Sequence, residues 1–164
     1  MYDKEQVRKL LDEKGIAYEW IDHEAAFTIE DMVRLGLDTN LDVAKNLFLR
    51  DDKGVNHYLI VVRADKKVNL KNFGKMFTLN RLSFASEERL GKYLGLKKGA
   101  VTPLGILNDT EKKVKVYFDQ DFMEMEKIGV HPNDNTASVY LSVKTLLNII
   151  REHGNELEVV EIPN

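Results

Sequence analysis

Two apolar runs, Leu47-Phe48-Leu49 and Tyr58-Leu59-Ile60-Val61-Val62, stand on either side of Asp51-Asp52-Lys53-Gly54. This pairing constrains the fold more than any other stretch. Apolar, β-branched and aromatic runs separated by a cluster of turn formers read as a β-hairpin with buried strands. The first strand should begin at Lys45-Asn46, just after Asp42-Val43-Ala44, and the second should cover residues 57–64. Read alone, Lys45 has two meanings. It is either a lysine whose stem covers apolar surface while its ammonium stays in water, or an anion-binding or polarising cation at a cleft mouth.

Around the hairpin the pattern mixes helices and strands without a strict βαβ repeat. Residues 3–14 predict an amphipathic helix, with Asp3 and Gln6 at capping-box spacing, Val7, Leu10 and Leu11 on one face and Gly15 at the end. Ile16, Tyr18 and Trp20 alternate as in a half-buried strand. A short helix is expected from Thr28 to a cap at Gly36, and Phe27, Ile29, Met32 and Leu35 read as core, with walls of a pocket beside Lys45 as the alternative. Helices over residues 69–77 and 86–94, the latter between Ser86 and Gly95 as caps, flank a short strand at 82–85. Residues 99–106 read as a structured loop, 113–119 as a strand, 129–135 as a second glycine-proline loop, and 136–141 as a strand. A helix started by Ser142 and capped by Gly154, then a strand over 157–162, close the chain. These elements predict an α+β fold: one domain over residues 1–164 with a curved, mixed or antiparallel, barrel-like sheet flanked by helices.

Composition removes several function classes. The chain has no cysteine, which excludes disulfides, thiolate metal sites and a cysteine nucleophile. No run approaches the roughly 18 apolar residues of a membrane helix, and the N-terminal residues lack an apolar signal core. A cytoplasmic protein without membrane contact is expected. The formal net charge of −3 argues against binding nucleic acid by bulk electrostatics alone. Residues 63–98 nevertheless hold ten Lys/Arg against three acids, a local +7, while the remainder, with 14 against 24, is −10. Such a segment could face phosphates or simply be solvated helix surface.

No dinucleotide, nucleoside-triphosphate or serine-hydrolase motif occurs, and His23, His57, His131 and His153 show no zinc-ligand spacing. Neither a metal nor a cofactor is expected. What remains is Lys45-Asn46, the loop Gly99-x-x-x-Pro103 and the loop Gly129-x-His131-Pro132. Separately, His131 can be a hydrogen-bonded structural histidine, and Gly99 and Pro103 can be turn residues.

Taken together and in this order, the three motifs resemble the YbaK/prolyl-tRNA synthetase-associated editing domain family, with a likeness running from the first helix to the last. The free-standing members that look most similar hydrolyse Ala-tRNA(Pro) in trans. The resemblance implies that Lys45 is the catalytic lysine, in contact with the phosphate of the 3′-terminal adenosine and supporting the ester geometry. Asn46, Gly99, Pro103, Gly129, His131 and Pro132 would bind substrate. Water would be the nucleophile, assisted by a terminal ribose hydroxyl, and the partners would be the acceptor end of mischarged tRNA(Pro) and prolyl-tRNA synthetase. Two other readings stay open: a Cys-tRNA deacylase on the same scaffold, and a non-catalytic regulatory or sensor protein with the editing fold.

Overall fold

A computed structural model describes residues 1–25, 29–34 and 43–164. The hairpin forms as predicted: β2 (Ala44–Arg50) pairs antiparallel with β3 (His57–Arg63), Lys45 opposite Val62 and Asn46 opposite Val61. Its connection is longer than a two-residue turn because the buried Asp51 carboxylate organises it. One oxygen accepts from the backbone N–H groups of Val55 (2.9 Å) and Asn56 (3.2 Å), the other from the Asn56 side chain (2.8 Å). Gly54, at φ +67°, supplies the left-handed residue.

β3 is central in a mixed five-stranded sheet of order β4-β2-β3-β5-β8, built with β4 (Ser83–Phe84), β5 (Val114–Asp119) and β8 (Leu157–Val160). β3 with β5 and β5 with β8 are parallel, so the helices α3 (Leu70–Met76), α4 (Glu87–Leu94) and α5 (Val143–His153) lie in the crossovers. A second, antiparallel sheet has the order β1-β7-β6, from β1 (Tyr18–Asp22), β6 (Lys127–Val130) and β7 (Ala137–Ser142). One parallel bridge, Val43 to Gly129, joins the two sheets, which do not close into a barrel. The expected α+β class with a mixed sheet is therefore realised as two sheets.

Strand alternation divides the core. Leu59 and Val61 of β3, Ala44 and Phe48 of β2, and Val114, Val116 and Phe118 of β5 face one cluster, with α1 (Lys4–Glu13), α4, α5 and the second sheet. Tyr58, Ile60 and Val62, with Leu49 and Tyr117, face another under Phe73 of α3. Both faces of β3 are buried, which is why its sequence is continuously apolar.

Local signals set the helix ends. Asp3, Asn69, Ser86 and Ser142 each accept the backbone N–H three residues on, and Gly95 and Gly154 end their helices at positive φ. The expected start at Thr28 and cap at Gly36 lie outside the described residues, as do Phe27 and Leu35; α2 covers Ile29–Arg34. The expected loop over 129–135 is shorter, because Gly129 and Val130 pair with Tyr140 and Val139 as the end of β6. Among the described residues no helix is long and apolar enough to cross a membrane.

One buried cluster makes stability depend on pH. His57 is enclosed by the rings of Phe48 (centroids 5.7 Å apart) and Tyr93 (3.9 Å), with the Arg89 guanidinium 3.0 Å from its Nε2. That nitrogen must accept from Arg89, so the folded state requires neutral imidazole. Burial, and then the Arg89 charge, hold the His57 pKa below its ordinary value. With the folded pKa below the unfolded one near 6.5, stability is full above about pH 6.5 and falls as pH drops toward the folded value. The slope in that window is expected to reach up to about 1.4 kcal/mol per pH unit. Urea unfolding between pH 7.5 and 5 should show this slope, and His57→Gln should flatten it; an equally steep slope in the variant would assign the loss to other groups.

Candidate active site

Asn46, the Gly99 loop and His131 come from three distant parts of the chain, and hydrogen bonds bring them together. The Asn46 Nδ2 donates to the Val101 carbonyl (3.3 Å), and the buried Thr102 hydroxyl donates to the His131 carbonyl (2.6 Å). Gly99, at φ +86°, turns the chain after α4. Pro103 opens a buried 3-10 helix, Pro103–Asn108, whose N-cap is Thr102. The Asn133 side chain donates to the carbonyls of Tyr2 (2.9 Å) and Leu104 (3.4 Å), pinning the segment after His131 to that helix.

His131 is held by its ring as well as its backbone. Its Nδ1 lies 2.9 Å from the Ala137 carbonyl, so Nδ1 carries the proton and donates, leaving Nε2 as an acceptor. Burial pushes its pKa down; the Ala137 bond opposes this and nearby His23 adds to it. Neutral imidazole is thus favoured. Asn46 is similarly poised, because its buried Oδ1 has no hydrogen-bond partner among the described residues. An unpaired buried amide oxygen costs free energy that a donor on a bound molecule would recover.

Gly129 and Pro132 flank His131 in the chain. Gly129 bridges to Val43 and lies so close to Tyr140 that a Cβ would stand 2.6 Å from the ring. Pro132 is buried directly after His131.

Lys45 takes the other direction. Because neighbouring residues of a strand face opposite sides, Asn46 points to the face of Ala44 and Phe48, and Lys45 to that of Leu49 and Val62. The Lys45 ammonium donates to the Lys66 carbonyl oxygen. Burial lowers its pKa, Asp65 works against this and Lys67 adds to it. One donor is thereby occupied, and an ammonium has three. The structure places the cation and the Asn46–His131 group on opposite sides of the start of β2.

Lys66 is itself structural: its ammonium bonds Asp119 (2.6 Å), Asp121 (3.0 Å) and the Ile162 carbonyl (3.1 Å). Arg63 pairs with Asp65 (3.1 Å), and Arg89 holds Gly54 and His57. Three of the ten cations in the basic segment are therefore committed within the protein.

Sequence reasoning passed over Thr102, Asn133, His23 and Ser138. Thr102 carried a signal, a threonine before a proline at a helix start. The His23 Nε2 lies 2.9 Å from the Ser138 hydroxyl and its ring centroid 6.2 Å from that of His131, a proximity created by β1 pairing with β7 that no spacing reveals. Among the described residues no group of three or more potential ligands could hold a metal.

A family model described as the aminoacyl-tRNA editing domain matches residues 23–149, a span containing all seven predicted site residues. Over 159 residues the chain is 44% identical to the prolyl-tRNA editing protein ProX of Acetoanaerobium sticklandii, covering 97% of each chain. It is 32% identical over 155 residues to prolyl-tRNA synthetase associated domain-containing protein 1 of Mus musculus, covering 92% of this chain and 91% of the relative. A crystal structure of a candidate trans-editing enzyme for prolyl tRNA synthetase matches with a TM-score of 0.74 over 98% of this chain and 96% of its own. At 19% identity that likeness is one of fold.

Proposed function

The chain belongs to the aminoacyl-tRNA editing domain family, a family of aminoacyl-tRNA hydrolases, and from that premise we propose that it acts in trans on mischarged tRNA(Pro), releasing alanine from Ala-tRNA(Pro). The observation that carries the reading is the convergence of Asn46, Val101-Thr102 and His131 on one side of β2 with Lys45 on the other. That division suits an ester joining a small amino acid to a phosphate-bearing nucleotide.

On the Asn46 side, the unpaired Oδ1 accepts from the α-ammonium of the amino acid, and neutral His131 offers Nε2 as a second acceptor. The loop of Gly99 and Pro103, with Gly129 and Pro132 behind His131, sets the walls against which the aminoacyl group rests. On the other side, Lys45 uses its remaining donors on the phosphate of the terminal adenosine. Holding both ends of the ester fixes the carbonyl for attack by water, and the ribose hydroxyl assists the proton transfer. Preorganised backbone dipoles stabilise the charge that develops on the ester oxygen, and the cation that on the neighbouring phosphate. The work is done in the cytoplasm alongside prolyl-tRNA synthetase, with tRNA(Pro) recognised through its acceptor end.

Release of labelled amino acid from Ala-tRNA(Pro), Pro-tRNA(Pro) and Cys-tRNA(Pro) by the purified protein tests this directly. Fast release of alanine with intact Pro-tRNA(Pro) is expected. Release of cysteine alone would transfer the assignment to a cysteine-specific deacylase, and no release from any of the three would overturn it.

A further inference from the structure

The helix that covers the Lys45 face of the five-stranded sheet lies in a strongly basic stretch. From Lys66 to Ser86 the chain has five Lys/Arg and no acid. This segment contains α3, whose Phe73 packs on the sheet face that Lys45 shares, whereas α4 buries Leu90 and Leu94 on the opposite face. Lys71 and Lys75 are exposed and four residues apart on α3, so their stems emerge about 6 Å apart along one side of the helix. Lys67 precedes the helix, and Lys45 donates to the carbonyl of the residue just before it, so the row begins beside the Lys45 ammonium. Arg81 continues it, tied to α3 because Leu79 N–H donates to the Gly74 carbonyl (2.8 Å) and Leu82 packs beside Gly74. Among the described residues, Lys67, Lys71, Lys75 and Arg81 form no ion pair.

At the far end stands Phe84, 63% exposed on the edge strand β4. It lies opposite Leu49, and hence on the Lys45 face of the sheet, about 13 Å from Lys45 along β2. An exposed aromatic ring at the end of a row of cations, whose nearest acid is Asp65 at the Lys45 end, is the pattern of a single-strand platform: cations follow phosphates, and the ring stacks a base of any identity.

We infer that Lys67, Lys71, Lys75 and Arg81, ending at Phe84, form a track for single-stranded RNA that leads the 3′ end of the substrate to Lys45. The inference rests on the reading that the substrate is an aminoacyl-tRNA, and it names the surface that reads its unpaired end. Of the basic segment, the α3 side binds RNA; the remainder is structural or faces elsewhere.

The test compares wild type, K67Q/K71Q/K75Q, Phe84→Ala and a charge-matched control, K53Q/K92Q/K144Q. Binding of a single-stranded RNA oligonucleotide ending in CCA is titrated across salt concentrations, and Ala-tRNA(Pro) deacylation is followed beside it. The α3 triple should lose at least about tenfold in affinity, with a salt slope shallower by about two, since each single-strand phosphate contact contributes roughly 0.7. Phe84→Ala should lose about tenfold with the slope unchanged. Both should raise KM while kcat at saturating tRNA stays at the wild-type value, and the control should bind as wild type. An α3 triple that binds normally, a control that loses as much, or a wild type that ignores the oligonucleotide overturns the track. If wild type releases alanine while the α3 triple is unaffected, the track alone fails. If wild type binds RNA through α3 but releases no alanine, the deacylase reading alone fails.

Discussion

Lys45→Ala is expected to lower kcat/KM for Ala-tRNA(Pro) hydrolysis by about 10²–10³, the loss typical when one preorganised charge or donor is removed from the reacting region. The fold should survive. Lys45 is only partly buried and its described polar contact is a backbone carbonyl, so the stability change should be within about 1 kcal/mol. The loss should not fall on KM alone. An anchor on the terminal phosphate spends its binding energy in holding the ester, so single-turnover rates at saturating enzyme should drop as well. Lys45→Arg should recover little, because a planar fork cannot occupy the position of a compact ammonium already bonded to the Lys66 carbonyl. The decisive measurement is single-turnover deacylation with urea unfolding of the same preparations. A Lys45→Ala protein that folds normally and deacylates at the wild-type rate would remove Lys45 from the mechanism.

The largest effect on stability is expected at Asp119, which is distant from Lys45 in sequence but pairs with Lys66, the residue whose carbonyl accepts from Lys45. Its carboxylate is fully buried, accepts from the Lys66 ammonium at 2.6 Å and also accepts from the Asp121 backbone N–H at 3.1 Å. Burial alone would lower the Lys66 pKa, but the bonds to Asp119 and Asp121 outweigh it and hold the pKa above its ordinary value. Asp119→Ala leaves that ammonium inside the protein with a half-exposed Asp121 and one carbonyl. Losing one partner of such a buried pair costs about 3–5 kcal/mol, and Asp121 should keep this case near the lower figure. Urea titration should show a lower midpoint with an unchanged m value. The double variant D119A/K66M, which removes both charges, should regain much of the loss; failure to regain any would mean that Asp119 acts through its backbone contact instead. The Lys66 carbonyl positions Lys45, so Asp119→Ala should also reduce deacylation at a temperature where it is still folded.

What could be read from the sequence was what depends on close neighbours. The caps at Asp3, Ser86 and Ser142 bind N–H groups three residues away, and Gly95 and Gly154 stop helices by their own backbone freedom. The β2–β3 hairpin follows from two apolar runs and a turn formed from one contiguous segment. Strand β6 was missed because four residues ending in Gly129 and Val130 carry too little pattern; β7 makes them a strand by pairing with them.

The site divides along the same line. The motifs around Lys45, Gly99 and His131 are legible as local patterns, and period-two alternation already separates Lys45 from Asn46. Only the tertiary structure decided which face meets the Gly99 loop and which meets α3, since that depends on β5 and β6 arriving from more than fifty residues away. It also decided the fate of the positive charge. Lys66 and Lys67 are adjacent and chemically identical, yet one is sealed against Asp119 and the other remains exposed. Burial and charge pairing are sums over distant contacts, and no local sequence pattern contains them.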